Sequence, residues 1–376
     1  MDSGLTNYRE KWRARRQRVR LRRLPLVIAG ALLLLAVAVV SARRHRPQLG
    51  AVAWVHGNGS RGLARLGLGE GAIAIAWEHG SVTAHAASTG SPLWRAPFDR
   101  AQQFDGPPTV AGDRIVLGGS DGAVWCLELK TGDPAWSFDT QTPVRSRPLV
   151  LDDRVYVGGD DGRLYCLRLT DGTLAWVYPP VDEADREAIL GGPAAEKGTI
   201  VCGSCEGEAF GVDLATGAPR WRIALDGPVI AAVTLDHGLA YIAAENGIVR
   251  CVTVDKGQPV WERSLPFLVR QPVVVRNRRA FVLASDGTIY CVEPRTGRDL
   301  WRRKLRGRPT TSGVADNGRV YVGTSDGLVQ ALSLETGRTV WRWRPGTKPL
   351  GDLLIDREHL YCTTSAGRVF AVRIAP

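Results

Sequence analysis

A tryptophan returns along this chain at nearly constant intervals, and the interval limits what the chain can fold into. Trp94, Trp136, Trp176, Trp221, Trp261, Trp301 and Trp341 are separated by 42, 40, 45, 40, 40 and 40 residues. A glycine precedes each by four positions. In five cases it follows a threonine, as in Thr336-Gly337-Arg338-Thr339-Val340-Trp341; the other two read Asp171-Gly172 and Lys256-Gly257. A second glycine series marks the start of a later strand: Gly80, Gly122, Gly162, Gly207, Gly247, Gly287, Gly327 and Gly367. A period of about 40 residues with short strands and glycine-rich turns predicts four-stranded units set around an axis, a β-propeller.

Each unit reads strand by strand. Arg319-Val320-Tyr321-Val322-Gly323 is followed by a Ser325-Asp326-Gly327 turn, then Leu328-Val329-Gln330-Ala331-Leu332, a Glu335-Thr336-Gly337 turn and a strand through Trp341. Asp-Gly suits tight hairpins because its residues tolerate positive φ. The strands are short and rich in Val, Ile and Leu. The eighth glycine unit runs into the C-terminus at Pro376 without a fourth strand. Ala51-Val52-Ala53-Trp54-Val55 supplies one from the other end, and Trp54 lies 40 residues before Trp94. The expectation is an all-β, eight-bladed propeller over residues 51–376, closed by its N-terminal strand. Closure hides edges that would otherwise template aggregation.

These Gly-x-x-x-Trp units resemble the tryptophan-docking motif of the pyrroloquinoline-quinone-like propellers. The resemblance covers about residues 50–376. It implies that Trp54, Trp94, Trp136, Trp176, Trp221, Trp261, Trp301 and Trp341 are structural, each packing on the neighbouring blade. The family includes quinoprotein alcohol dehydrogenases and non-catalytic relatives such as the propeller component of the outer-membrane β-barrel assembly machinery. Quinoprotein enzymes are larger, with a calcium-bound quinone, a catalytic aspartate and, in many, a disulfide between adjacent cysteines. This chain has no adjacent cysteine pair and little room for long site-building loops. The expectation is a non-enzyme without cofactor, metal or catalytic residues. A quinone-dependent dehydrogenase or a small-ligand sensor is the alternative.

The N-terminus differs from the rest. Residues 1–23 hold nine Lys or Arg, and Leu24 to Ala42 gives 19 residues without a charge. At about 1.5 Å rise per residue such a helix spans roughly 28 Å, close to the hydrocarbon core of a bilayer. Only Arg43, Arg44 and Arg46 follow at once. The positive-inside bias then predicts a cytoplasmic tail (1–23), one transmembrane helix (24–42), a linker (43–50) and a periplasmic propeller, as a single-pass protein of a bacterial inner membrane. The rival is secretion after signal cleavage near Ala42. No cysteine closely follows the apolar run, so a lipid-anchored N-terminus is not expected; here the chain departs from the assembly-machinery lipoprotein.

The net charge of +11 suggests nucleic acid until it is located. Residues 1–46 hold 12 basic and two acidic residues, which leaves 37 basic against 36 acidic in 47–376. The propeller is nearly neutral, so nucleic-acid binding has no compositional support. The seven cysteines also dissolve on alignment. Cys126, Cys166, Cys251 and Cys291 share a column with Ala84, Gly211, Ala331 and Ala371, a cramped packing position. Cys202 and Cys362 share one with Leu117, Val157, Ile242, Val282 and Val322, and only Cys205 falls in a turn. One Cys-x-x-Cys pair cannot make a tetrahedral zinc site. His45, His56, His79, His85, His237 and His359 form no ligand-like spacing and read as solvated loop histidines.

What remains is the rim. Nine residues after the blade tryptophan, near the start of the channel-lining strand, stand Arg145, Ile230, Arg270, Thr310 and Leu350, with Arg147, Arg308 and Lys348 nearby. The only long break in the repeat, Val181–Leu190, carries Asp182, Glu183, Asp185 and Glu187 on the same rim. Loops on a rigid scaffold are where function concentrates. Arg145, Arg270, Arg308, Lys348 and the four acids are therefore the candidate partner-binding residues. The expected role is a protein–protein scaffold in the envelope, similar to that of the outer-membrane assembly propeller.

Overall fold

The computed structural model describes residues 50–57, 63–78, 80–98, 103–180, 187–316 and 318–374. The basic tail, the apolar run and the linker up to residue 49 lie outside them. Among the described residues no helix is long and apolar enough to cross a membrane. Thirty-two strands form eight four-stranded antiparallel sheets. In sequence order the blades are 64–97, 109–139, 149–178, 194–224, 234–264, 274–304, 314–343 and 349–373. Blade 8 takes Val52–Gly57 as its outermost strand, paired with Arg368–Arg373.

The innermost strands of most successive blades touch one another. That of blade 8, Pro349–Ile355, meets that of blade 1, Ala64–Gly69, so eight blades complete the circle. Each innermost strand starts at one face, where the Asp-Gly turns lie, and ends at the other, where the Thr-Gly turns lie. We call these the funnel face and the base.

The apolar core sits between blades rather than within them. One cluster joins Val116, Val124, Cys126 and Trp136 of blade 2 to Val155, Val157, Tyr165 and Leu167 of blade 3. The pleat explains this: alternate residues point to opposite sheet faces, and both faces of every blade are covered. Cys126, Cys166, Cys202, Cys251, Cys291 and Cys362 are all buried free thiols in these seams. Burial pushes the Cys126 and Cys251 thiols up to about 12, so both stay protonated.

The tryptophans staple the seams. Trp94 Nε1 donates to Leu129 O at 2.6 Å, in the turn of the next blade. Trp136, Trp221, Trp261 and Trp301 repeat this on Leu169, Val254, Pro294 and Leu334. Trp54 does the same on Ala87 of blade 1. Each ring also covers the turn glycine. A Cβ on Gly132, where φ is +72°, would lie 2.3 Å from Trp94 Cε3. Only glycine satisfies both the left-handed backbone and that approach. Trp176 covers Gly217 in the same way, but its Nε1 is buried without a partner. The carbonyl it would use, Leu214 O, accepts from Tyr156 Oη at 3.2 Å instead.

Two histidines differ from expectation. His85 and His359 are 2% and 3% exposed, not solvated. His85 lies in the strand Ser81–Ala86, in the column that other blades fill with Leu127, Leu167 or Val212. The sheet buries that column whatever residue occupies it.

Candidate functional site: the funnel and its rim

A repeated backbone bond sets the register of the rim. Asp160 N donates to Pro143 O, Cys205 N to Ala188 O, Glu245 N to Pro228 O, Ser285 N to Leu268 O, Ser325 N to Arg308 O and Ser365 N to Lys348 O. Residues on these loops therefore lie in tiers. Arg308 and Lys348 occupy the outer lip and are exposed. Two residues further in come Arg145, Leu190, Ile230 and Arg270, and two further still Arg147, Gly192, Ala232, Pro272, Ser312 and Asp352, joined by Arg65 of blade 1. Together the inner residues of all eight blades line a cavity of about 610 Å³.

The five extra residues of the insertion fall before Ala188, because Ile189 is back in register. Its side chain is fully buried, and a Cβ on Gly158 would lie 2.4 Å from Ile189 Cγ2. Asp182, Glu183 and Asp185 lie outside the described residues. Glu187 is described and exposed, with its N donating to Glu206 Oε1 at 3.2 Å.

The rim charges are paired along the arc of blades 2 to 6. Arg145 Nη1 donates to Asp160 Oδ2 at 2.5 Å, and its Nε lies 3.5 Å from Asp105 Oδ2. Arg270 Nε donates to Glu245 Oε1 at 2.6 Å. Between these pairs sits Cys205. Its thiol is raised by burial first and then by Glu187, Asp160 and Glu245, so it is no nucleophile. Burial also raises the Asp160 carboxyl, with Arg145 pulling the other way. Half-exposed pairs of this kind add about 0–1 kcal/mol each to stability. Their value is in fixing where guanidinium and carboxylate groups stand on a rigid lip. Phe267 and Leu268, 41% and 39% exposed, stand beside Arg270 on the same lip.

Deeper, Arg147 laces the channel wall. Its Nη2 donates to Asp352 Oδ2 at 2.8 Å and to Leu66 O at 3.2 Å, and its Nη1 to Pro108 O at 3.2 Å. One side chain of blade 3 thus holds blades 2, 1 and 8. The structure brings together Arg145 and Arg270 as cavity-lining residues and leaves Arg308 and Lys348 outside the cavity. Sequence reasoning missed the roles of Arg65, Arg147, Asp160, Glu245 and Asp352. Their signal lay in the repeat: Arg147 and Asp352 both stand eleven residues after a blade tryptophan.

The carboxylates of this cavity do not make a calcium site. Calcium takes six to eight oxygen ligands. The two carboxylates that line the cavity, Asp105 and Asp352, each face an arginine. Among the described residues no group of three or more His, Cys, Asp or Glu could hold a metal ion.

The chain matches the family described as outer membrane protein assembly factor BamB over residues 38–189, 181–282 and 285–375. Among curated proteins, none matches significantly by sequence. Among solved structures, BamB from Moraxella catarrhalis is similar at 21% identity, covering 85% of this chain and 98% of that one with a TM-score of 0.71. A computationally designed protein, Ika8, superposes at 15% identity, 87% and 100% coverage and a TM-score of 0.73. The quinohemoprotein alcohol dehydrogenase of Comamonas testosteroni does so at 12% identity, 86% and 76% coverage and a TM-score of 0.71. These likenesses speak for the fold. With the family match running over nearly all of the eight blades, the chain belongs to the outer membrane protein assembly factor BamB family of β-propellers.

Proposed function

We propose that the protein is a membrane-anchored, non-enzymatic propeller that binds a protein partner in the bacterial envelope, in the assembly of outer-membrane proteins. The observation that carries this reading is the family match across the whole propeller. The binding surface in this reading is the funnel rim of blades 3 to 6, where Arg145, Arg270 and Glu245 present paired charges beside Phe267 and Leu268, together with the Val181–Leu190 insertion of the sequence. Arginine and exposed aromatic groups are the residues that dominate protein interfaces. In this reading Leu24–Ala42 is the inner-membrane anchor, supported by its length and by the basic asymmetry around it; the alternative is cleavage near Ala42. The strand Val52–Gly57 holds the ring shut, supported by the register of Trp54 on Ala87.

The test is affinity purification of the full chain from solubilised membranes. Wild type is compared with Arg145→Glu/Arg270→Glu and with a variant altered on the base. The reading expects the partner to be lost with the rim variant alone. Loss with the base variant and retention with the rim variant would place the partner on the other face. A reporter active only in the cytoplasm, fused after Pro376, is expected to stay silent; activity would reverse the topology.

A further inference from the structure

The chain leaves the propeller on the face opposite the funnel. Val52 pairs with Val372 and Gly57 with Arg368, so the N-terminal strand enters at the base of blade 8. There Gly50 N donates to Arg373 O at 2.8 Å. Whatever lies before residue 50 is therefore tethered to the base.

The charge of the base is uneven. In the turns of blades 2 to 5 acids such as Asp113, Asp153, Asp213 and Asp255 are interspersed with Lys130, Lys197 and Lys256. In the turns of blade 6 it carries Arg276, Arg278, Arg279, Arg295 and Arg298, and Arg357 follows in blade 8, beside the tether. Arg278, Arg295, Arg298 and Arg357 are exposed, and their guanidinium groups make no ion pair among the described residues. Two clefts open between these arginines. One, of about 330 Å³, lies between blades 5 and 6 with Arg278, Arg295 and His237 on its walls. The other, of about 640 Å³, lies at the lower mouth of the channel with Arg276, Arg319 and Arg357. The acids of the second cleft are already engaged: Asp316 accepts from Tyr321 Oη and Asp356 from Tyr361 Oη at 3.1 and 2.6 Å, and both cap backbone amides. Glu293 of the first accepts from Thr296 Oγ1. These bonds leave the carboxylates charged, so each cleft holds acids beside its arginines, and the positive excess lies with the exposed Arg278, Arg295, Arg298 and Arg357.

We propose that this basic sector of the base, centred on blade 6, lies against the anionic phospholipid headgroups of the membrane that anchors the chain. The proposal rests on the reading of Leu24–Ala42 as an anchor. Residues 43–49 extend over at most about 25 Å, and Arg43, Arg44 and Arg46 among them are drawn to the same headgroups. An Arg or Lys near an anionic bilayer is attracted to its headgroups, and the attraction dies within a Debye length of about 8–10 Å. Guanidinium also pairs with phosphate through two parallel bonds, which a lysine does not. The base is the face the tether can bring that close, and the funnel is then turned away from the lipid toward its partner.

The test uses the full chain in nanodiscs of phosphatidylcholine alone or of phosphatidylcholine with phosphatidylglycerol. Solvent labelling of peptides 274–279 and 293–298 is read by mass spectrometry, with the funnel-face peptide 265–272 as control. The expected result is protection of both base peptides in the anionic discs only. It is lost in high salt and in Arg278→Glu/Arg295→Glu/Arg298→Glu, whose unchanged melting shows it to be folded. Equal labelling in both disc types overturns the face proposal while leaving the anchor intact. Protection of the funnel-face peptide instead overturns the orientation. A chain that elutes apart from both discs removes the anchor, and the proposal falls with it.

Discussion

Arg147 Nη2 donates to Asp352 Oδ2 at 2.8 Å, joining blade 3 to blade 8 across 205 residues of sequence. The same guanidinium reaches the carbonyls of Leu66 and Pro108. Both side chains are partly buried, 34% and 22% exposed. Charge-assisted bonds in such a setting contribute about 1.5–3 kcal/mol. They also tie the innermost strands of the first and last blades to each other through one guanidinium.

Arg147→Met is therefore expected to cost about 1–3 kcal/mol in urea unfolding, because Asp352 and two carbonyls lose their donor. Asp352→Leu alone is expected to be costly too. The double variant should lose less than the sum, since neither partner is left facing an empty place. Strict additivity would show that the two groups do not act on one another.

The seam tryptophans offer a comparison within one chain. Trp94 donates to Leu129 O, whereas Trp176 Nε1 is buried without a partner and Tyr156 has the Leu214 carbonyl. Replacement by phenylalanine keeps most of the apolar contact. Trp94→Phe is expected to lose about 1 kcal/mol more than Trp176→Phe, because only Trp94 gives up a hydrogen bond. Tyr156→Phe should cost little if Trp176 then turns to Leu214. Equal losses at Trp94 and Trp176 in denaturant melts would remove the distinction.

The blades were legible because they repeat. Seven tryptophans and eight glycines in register reveal the strands and turns even at positions where any one unit is ambiguous. The cysteine columns followed from the same alignment. The polar site was less legible because its contacts run between units rather than along them. Nothing local to Arg147 says that Asp352 will be its partner; only the ring places them together. The two buried histidines were misread for the opposite reason. His85 was read with the others as a solvated loop histidine, although its column is Leu or Val in the other blades. Position in the repeat outweighs residue type when the sheet covers both faces.

His85 makes stability depend on pH. It is held at about 4, lowered first by burial and then by His56, with the Gly90 carbonyl working the other way. The two imidazoles meet edge to face with ring centroids 3.9 Å apart. His85 is thus neutral in the fold, while in the unfolded chain it takes a proton below about 6.5. Its contribution is complete above about 6.5 and is lost as pH falls from there toward 4. The wild type is expected to lose more melting temperature between pH 7 and pH 4.5 than His85→Gln. Parallel melting curves for the two proteins would show that burial of His85 carries no such linkage.

His56 sits on the strand Val52–Gly57, and that strand is the subject of the last prediction. Its Trp54 indole donates to Ala87 O at 2.9 Å, and a Cβ on Gly90 would meet the Trp54 ring at 2.6 Å, so the contact with blade 1 is tight. Its other edge pairs with Arg368–Arg373. Deleting residues 47–57 removes one strand of blade 8, uncovers the backbone edge of its neighbour and takes the seam tryptophan from blade 1. Any one of these is costly, and stability in proteins is small enough that a loss of several kcal/mol is a large share of it. The deletion is expected to melt several degrees lower and to aggregate through the bared edge. A peptide of residues 47–57 added in trans should restore part of the loss, because the same backbone bonds and the same indole site are offered again. An unchanged melting temperature would mean that the ring is held by its innermost strands, Arg147 included, and that the N-terminal strand is an accessory.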